Sequence, residues 1–350
     1  MSEQATRGWQ RPSIYDVARQ AGVSHMTVSR VLNGHPNIRE STRARVLQAI
    51  EDMNYTPSSI ARALATRRAQ RIGVLVDAPV QYGPNSTLRA LENAAREVGY
   101  AISAFSISDE DESHIDSGVV ELVTQGVDAL CVIAPRASSL HLLRQHATGL
   151  PTIVIKAEPD DLWHTVAVDQ RVGAWQAVSH LIELGHTAIA HLAGPQDWFD
   201  ARERTQGWKD ALTAGGLSIP PLVTGDWTSD FGYDFGRSFE VGDVTAVFAA
   251  NDQMALGLIH GLSDRCIRVP EDISVVGFDD PPDARHFLPP LTTVRQDFAA
   301  LGALALQQII GAIDGAATSH HDMIKPRLII RGSAAAPRRA AAPDSGTLTV

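Results

Sequence analysis

Apolar residues recur at helical spacing near the start of the chain. Between residues 13 and 33 they lie three or four positions apart, with a break at Gly22. Such spacing buries one face of a helix against another. Ser24 follows the break and is a residue type that caps helix N-termini. The pattern predicts two short helices joined by a turn, the second beginning at Ser24. The apolar positions are Ile14, Val17, Ala18, Ala21, Val23, Val28, Val31 and Leu32.

A third helix is predicted after a polar stretch. It can open at Ser41 or Thr42 and would bury Val46, Ile50 and Met53. Three short helices form a minimal core, which is marginal in stability because so short a chain buries little surface. The first fifth of the chain is therefore predicted to be a small all-α domain.

The charge is divided unevenly along the chain. Residues 1–71 contain eleven Arg, no Lys and five acidic residues, a formal charge of +6, whereas the remaining 279 residues carry 19 basic and 35 acidic side chains, a charge of −16. A basic segment attracts phosphates, and Arg suits bidentate contacts to phosphate and guanine. Charge alone would equally fit a solvated surface. Together with the helical pattern it favours DNA binding.

Side chains suited to DNA contact cluster on the predicted second helix. His25 and Met26 are predicted to select bases, with Ser29 and Arg30 adding base or phosphate contacts. Other residues are better placed to contact the DNA backbone. They are Tyr15, Ser24, Thr27, Asn33, Thr42 and Tyr55.

A short hinge is predicted to follow. The Asn-Tyr-Thr-Pro sequence at 54–57 breaks the third helix, and its proline suits the first position of another short helix. That helix is too short to be stable alone in water. If it folds on DNA, Ala61 and Leu64 share one face and could enter the minor groove, where Leu64 would open a base step. The alternative is a connector helix with Leu64 on a core face.

From residue 71 onward, short apolar runs alternate with segments of helical periodicity. Runs such as IGVLV, DALCVIA and ISVVGF are apolar throughout, as is typical of parallel strands buried on both faces. The body exceeds one typical domain in length, so two doubly wound lobes are predicted.

Polar residues follow several of these strands, where such sheets hold ligands. They are Asp77, Arg204, Asn251 and Asp279. With Trp227 and Phe298 they have the makeup of a sugar site, in which polar groups bind hydroxyls and aromatic faces cover C–H surface. The alternatives are structural: Asp279 could cap a turn, Asn251 could cap a helix and Trp227 could lie in the core. Gln81 and Tyr82, in a loop of the first lobe, are expected to help select the ligand.

Ordered motifs from Ser13 to Arg331 resemble the lactose/galactose repressor family, and especially its lactose-repressor branch. They include YDVAxxAGVSxxTVSRVLN, NYTPSSIARALA, RTQGW, GDW, ANDQMALG and PPLTTVRQDF. The resemblance implies an all-α helix-turn-helix DNA-binding head plus an α/β periplasmic-binding-protein-like sensor of two doubly wound parallel-sheet lobes. We expect the head at 1–56, the hinge at 57–71, the sensor at 72–338 and a disordered tail at 339–350.

The resemblance also implies how the sensor is divided. The first lobe is expected to comprise 72–168 and 292–325, and the second 169–291 and 326–338. The crossovers then lie near Val168, Leu291 and Lys325.

By resemblance, several residues form the family's effector site. Arg204, Asn251 and Asp279 align with its sugar-hydroxyl clamp, and Trp227 and Phe298 with its aromatic walls. One departure is Lys156, which stands where the lactose-repressor branch has a carboxylate. A cation in place of an acceptor puts a galactoside effector in doubt and leaves another oligosaccharide or a sugar acid open.

The predicted function is that of a sequence-specific transcriptional regulator, a repressor of carbohydrate-utilisation genes. Its partners would be pseudo-palindromic operator double-stranded DNA, a sugar or sugar derivative and a second copy of the chain, with no membrane partner. The tail lacks the leucine heptads that join dimers of the lactose-repressor branch into tetramers, so a homodimer is expected. We expect ligand binding to release the operator and not to promote operator binding, although the sequence does not fix which of the two occurs.

Two other classes of protein fit less well. No GxSxG, HExxH, GxxxxGK or GxGxxG motif occurs, Cys131 and Cys266 form no CxxC pair, and the His residues lack metal-ligand spacing. No catalysis, metal or cofactor is therefore expected, and the His320-His321-Asp322 sequence is interpreted as a solvated loop. A secreted solute-binding protein would match two lobes, but the N-terminus lacks an apolar signal region. A cytoplasmic location is expected.

Overall fold

The computed structural model describes residues 12–32, 34–55, 68–78, 80–107, 114–144, 148–316 and 320–338. The chain divides into two compact units, Met1–Ala69 and Gln70–Val350. Three predicted DNA contacts, Asn33, Ala61 and Leu64, lie outside the described residues, as do most of the hinge and the predicted tail.

The first unit contains three helices. They are α1 (Ile14–Ala21), α2 (His25–Leu32) and α3 (Glu40–Asp52). Ser13 begins α1 with a capping box, in which the Ser13 hydroxyl accepts from the Asp16 N–H and the Asp16 carboxylate accepts from the Ser13 N–H at 2.9 Å. Gly22, at φ 63°, ends α1 in the left-handed region. Val17, Val28 and Val46 are fully buried together, so the three helices share one core.

The first lobe of the second unit is built on a six-stranded sheet. In chain order its strands are β1 (Arg71–Asp77), β2 (Ala101–Ile107), β3 (Ala129–Ile133), β4 (Thr152–Ile155), β5 (His164–Val168) and β11 (His321–Ile324). Their spatial order is β11-β5-β4-β3-β1-β2, and every neighbouring pair is parallel. The helices of this lobe are α4 (Tyr82–Glu97), α5 (His114–Thr124), α6 (Ala137–Leu143) and α11 (Phe298–Ile313).

The second lobe repeats this architecture. Its strands are β6 (Ile189–Ala193), β7 (Val223–Thr224), β8 (Ala246–Ala249), β9 (Ser274–Asp279), β10 (Thr292–Arg295) and β12 (Arg327–Ile329). The order is β12-β10-β9-β8-β6-β7, and only the β10–β12 pair is antiparallel within this described sheet. Its helices are α7 (Gln170–Glu183), α8 (Phe199–Ala214), α9 (Ser229–Ser238) and α10 (Asp252–Ser263), with a 3₁₀ turn at Pro282–His286.

The chain passes between the lobes three times. The crossings lie between β5 and α7, between β10 and α11, and between β11 and β12. The predicted crossover at Leu291 is wrong by a few residues, because Thr292–Arg295 pairs with β9 in the second sheet. The chain crosses at Gln296 and Asp297, where β10 has ended.

The His320-His321-Asp322 sequence is not a loop as expected. His321 begins β11, which pairs with β5 along one edge of the first sheet, and the His321 Nδ1 lies 2.6 Å from the Thr165 hydroxyl.

Cys131 lies inside β3, where burial raises the pKa of its thiol to about 12. In the described part of the chain, no helix is long and apolar enough to cross a bilayer, and no group of three or more His, Cys, Asp or Glu could hold a metal ion.

Candidate DNA-binding face and ligand cleft

Helix α2 presents a polar face on the first unit. The Ser24 hydroxyl accepts from the Thr27 N–H at 3.2 Å and begins the helix, as predicted from the sequence. Val28 and Val31 are buried in the core, which directs His25, Met26 and Arg30 outward. Met26 is 55% exposed although it is apolar. An exposed apolar residue beside polar ones suits contact with base edges in a groove.

Tyr15 and Tyr55 lie in different environments. Tyr15 on α1 is 61% exposed, and its ring centroid is 5.1 Å from that of His25. The two rings therefore form one exposed patch. Tyr55, in contrast, is buried in the three-helix core, and this burial raises the pKa of its phenol. The Tyr55 ring therefore stabilises the head, and its contact with the DNA backbone stays a prediction. Thr42 remains partly exposed in the first turn of α3.

A cleft of about 660 Å³, counted with its open mouth, lies between the two lobes of the second unit. Six of the seven predicted effector residues line it: Tyr82, Arg204, Trp227, Asn251, Asp279 and Phe298. Lys156, which the sequence analysis placed at the effector site, also lines the cleft. Further polar and aromatic lining residues were not predicted, and they include Gln170, Trp198, Asp200 and Gln296.

Arg204 is buried at the base of the cleft on α8. Its Nε donates to Gln170 at 2.9 Å, and its Nη1 donates to the Ala250 carbonyl. The guanidinium also lies 3.9 Å from the centroid of the Phe278 ring. Its Nη2 is 3.6 Å from the Asp279 carboxylate. These contacts fix the plane of the guanidinium, as required of a group that holds a ligand in one orientation.

Two glutamines close a ring of polar contacts around this arginine. Gln170 donates to Gln296 at 2.9 Å, and Gln296 donates to Asp279 at 2.7 Å. The ring thus runs from Arg204 through both glutamines to Asp279 and back. Sequence reasoning missed both glutamines. The available signal was that each is the first or second residue after a strand, in VAVDQ and TTVRQ.

Asp279 occupies a strained turn at the end of β9. Its φ is 115° and that of Asp280 is 53°, conformations that non-glycine residues rarely adopt. Asp280 accepts from Arg295 and Arg331, each at 2.6 Å, and these ion pairs hold the turn. Burial raises the pKa of Asp279 to about 6, although Arg204 and Gln296 oppose the shift. Strain of this kind is concentrated at functional sites.

Asn251 connects the cleft to a helix N-terminus. Its Oδ1 accepts from the Met254 N–H at 2.9 Å, and its Nδ2 donates to the Trp227 carbonyl at 2.9 Å. The structural alternative for Asn251, a helix cap, therefore describes one of its contacts, while the residue also lines the cleft. Its second bond fixes Trp227, whose φ of 74° is itself unusual.

Aromatic rings line both sides of the cleft. On the second lobe Trp198 and Trp227 meet edge to face at 5.2 Å, and within the described residues the Trp227 Nε1 has no hydrogen-bond partner. On the first lobe Tyr82 and Phe298 meet edge to face at 5.8 Å. Burial raises the pKa of the Tyr82 phenol, so it stays protonated at neutral pH. Such paired rings can cover the two faces of a flat, partly apolar ligand.

Asp77 is the predicted effector residue that the structure does not bring to the cleft. Its carboxylate accepts from Ser139 at 2.6 Å and pairs with both Nε and Nη2 of Arg136. The loop that carries Arg136 contacts the second lobe, where the Phe199 N–H donates to the Pro135 carbonyl at 2.8 Å. The prediction is corrected: Asp77 is neutralised inside the first lobe and holds a loop at the contact between the lobes.

A helical DNA-contacting head and a two-lobed ligand-binding body in one chain define a ligand-responsive transcriptional regulator. The chain belongs to the lacI family of bacterial regulatory proteins. The family profile of that description matches residues 13–58, and a periplasmic binding protein-like domain profile matches residues 178–334. The family resemblance and the fold class predicted from the sequence are confirmed, and the protein is a DNA-binding transcriptional regulator.

Relatives match over nearly the whole chain. The lactose operon repressor of Escherichia coli (strain K12) is 31% identical over 328 residues, which cover 93% of this chain and 91% of the relative. The ribose operon repressor of the same strain is 34% identical over 327 residues, covering 91% and 98%.

Solved structures agree with the sequence comparison. A crystal structure of the lac repressor dimer bound to operator and the anti-inducer ONPF has a TM-score of 0.84 at 31% identity, covering 93% of this chain and 100% of that one. A complex of the transcriptional regulator CelR with cellobiose has a TM-score of 0.69 at 30% identity, covering 92% and 100%.

Proposed function

We propose that this protein is a homodimeric repressor of carbohydrate-utilisation genes that leaves a pseudo-palindromic operator when a sugar occupies the cleft. The observation that carries the proposal is the ring of Arg204, Gln170, Gln296 and Asp279. All four line the cleft, and the two glutamines also stand at crossings between the lobes. Ligand contacts and lobe orientation are thus joined by hydrogen bonds.

The chemistry of the cleft supports a sugar as ligand. A fixed guanidinium and a carboxylate can hydrogen-bond to adjacent hydroxyls, and four aromatic rings can cover the C–H faces of a pyranose. The relatives agree with this class, since they include lactose and ribose operon repressors and a regulator solved with cellobiose. The protein regulates transcription and does not catalyse a reaction, and it acts on DNA in the cytoplasm.

The proposed mechanism is a population shift between two orientations of the lobes. Sugar that bonds to Arg204 and Asp279 stabilises one arrangement of Gln170 and Gln296, and therefore one angle between the lobes. In a dimer, a change of that angle alters the spacing of two heads on one operator. Operator affinity then falls because both heads can no longer contact their half-sites together.

The test is a titration of the protein–operator complex with sugars at a fixed salt concentration, because phosphate contacts make affinity depend on salt. The operator is first selected from random duplex DNA with the full-length protein. We expect fluorescence anisotropy to report release by at least one sugar of a panel containing lactose, cellobiose and ribose. Tighter operator binding with sugar would reverse the proposed direction. Sedimentation that shows a stable tetramer would contradict the dimer.

The matched variants for this titration lie on one helix. Arg204→Lys keeps the positive charge but loses the planar set of donors, so release should require at least about tenfold more sugar. Gln206→Ala removes an exposed residue whose bond is to Asp210 at 2.7 Å. It should behave as the unmodified protein.

A further inference from the structure

The positive charge of Lys156 is neutralised inside its own lobe. Its Nζ lies 2.9 Å from the Asp160 carboxylate and donates to the Pro159 carbonyl at 3.1 Å. Burial would raise the pKa of Asp160, but hydrogen bonds from Lys156, the Leu162 N–H and Arg144 lower it to about 2. Asp160 is therefore ionised at neutral pH, and the ammonium has a permanent counter-charge.

Lys156 also has an aromatic partner across the cleft. Its ammonium lies 4.7 Å from the centroid of the Phe199 ring, on the second lobe. The guanidinium of Arg202 lies at the same distance from that ring, and Arg202 donates to Glu158 at 2.7 Å. Lys156 thus helps to position Phe199, the first residue of helix α8, and does not project an unpaired cation at the ligand.

Two carboxylates lie beside the single positive charge of Arg204. Asp279 lies 3.6 Å and Asp200 3.8 Å from the same Nη2 atom. The two acids differ in access, because the Asp279 side chain is 6% exposed and the Asp200 side chain is 30% exposed. Asp200 lies one turn before Arg204 on α8 and lines the cleft. An anionic ligand would meet this excess of like charge at short range.

We propose that the cleft selects a neutral saccharide over a sugar acid, and that Asp200 is the specificity-determining residue, accepting a ligand hydroxyl beside Arg204. The inference rests on the proposed sugar-responsive function and narrows the ligand that function requires. Lys156 is a positioning residue in this account. The sugar acid that the sequence left open is rejected because the cation suggested by Lys156 is already paired.

The experiment compares neutral sugars with their own acids on the full-length protein at pH 7.5. The probes are lactose with lactobionate, cellobiose with cellobionate, and glucose with gluconate and glucuronate, and the readout is tryptophan fluorescence, since Trp198 and Trp227 line the cleft. We expect a neutral probe to bind at least about tenfold tighter than its acid. An acid that binds more tightly than its neutral partner overturns the inference but leaves a sugar-responsive regulator. Binding of no probe overturns both.

Variants on α8 then test Asp200 itself. Asp200→Asn should weaken binding of the neutral probe at least about tenfold and should also reduce the discrimination against its acid, because it removes the repelling charge. A merely structural role would lower both affinities alike. Asp210→Asn is the control, since Asp210 pairs with Arg171 at 2.5 Å and does not line the cleft. Unchanged discrimination in Asp200→Asn overturns the role of this residue.

Discussion

Gln170 donates a 2.9 Å hydrogen bond to Gln296 although 126 residues separate them. Gln170 begins the second lobe after the first crossing, and Gln296 stands at the second crossing. Their bond therefore connects two of the three crossing segments that join the lobes. Because the same side chains bond to Arg204 and Asp279, a ligand that shifts Arg204 or Asp279 also shifts the bond between the two glutamines.

Replacing Gln170 should lower both protein stability and sugar affinity. Gln170→Ala leaves the Arg204 Nε without its acceptor in a buried site, which costs about 1–3 kcal/mol. We expect sugar affinity, measured by calorimetry, to fall by about tenfold or more. Gln206→Ala, on the exposed side of α8, serves as control. Equal losses in the two variants would show that the ring has no special role.

The Trp227 indole packs directly over a glycine. A Cβ added at Gly194 would lie 2.1 Å from the indole ring, which real side chains cannot tolerate. Gly194→Ala should therefore displace Trp227 and abolish response to sugar while operator binding persists, the behaviour of a repressor that cannot be induced. Anisotropy with and without sugar measures both properties. Gly332→Ala is the control, because its nearest contact would be an ordinary 3.5 Å. A sugar response retained by Gly194→Ala would contradict the assignment of Trp227 to the site.

Much of the fold could be predicted because it depends on local patterns. The spacing of Val17, Val28 and Val31 predicts helices that bury one face, and Ser24 predicts where α2 begins. Apolar runs of five or six residues predict strands buried on both faces. Arg204 could be placed in a cleft because it lies on a helix that follows a strand end, where such sheets hold ligands.

The rest depends on pairs that are distant in sequence. Asp77 follows a strand as a ligand-binding residue would, but Arg136, 59 residues later, neutralises it. In the sequence, Lys156 could supply a positive charge to the ligand, but in the structure it is paired with Asp160. Neither pairing produces a periodic pattern in the sequence, because a hydrogen bond between two loops constrains only those two positions. For the same reason, the link between Gln170 and Gln296 could not be predicted.

Sugar affinity should depend on pH through Asp279. Its pKa is raised to about 6, so the carboxylate that we propose accepts a sugar hydroxyl is ionised at pH 7.5 and protonated at pH 5. We expect affinity to fall as the pH drops through 6, by about tenfold at pH 5. Asp279→Asn should bind weakly at pH 7.5 and show no further loss on acidification. A flat profile for the unmodified protein would exclude Asp279 as the titrating acceptor.

Folding stability should respond to the same group in the opposite direction. A carboxyl whose pKa is higher in the folded than in the unfolded state stabilises the fold while it is protonated, and this contribution is lost as the pH rises through 6. As the pH rises through 6, the contribution of Asp279 to folding stability therefore decreases while the sugar affinity increases. Urea unfolding of the unmodified protein and Asp279→Asn at pH 5 and 7.5 measures the difference. The variant should gain stability relative to the unmodified protein at pH 7.5.

An ion pair between the lobes should contribute little energy. Arg202 donates to Glu158 at 2.9 and 2.7 Å, but each side chain is about one-third exposed. A double-mutant cycle of Glu158→Gln and Arg202→Gln should give a coupling of about 0.2–1 kcal/mol that decreases with salt. The Arg268–Asp272 pair, within the second lobe, is the reference. A coupling of several kcal/mol would mean that this contact, and not the glutamine pair, holds the lobes together.

The exposed face of α2 should determine which operator is preferred. His25 and Met26 point away from the core, where they can contact base edges, so His25→Ala or Met26→Ala should change the sequences recovered in a selection from random DNA. Thr42, at the start of α3, is better placed for a phosphate contact. Thr42→Ala should weaken binding to every duplex by a similar factor and leave the selected consensus as it is. If both α2 variants recover the original consensus, base selection by this helix is excluded, and the exposed Met26 needs another explanation.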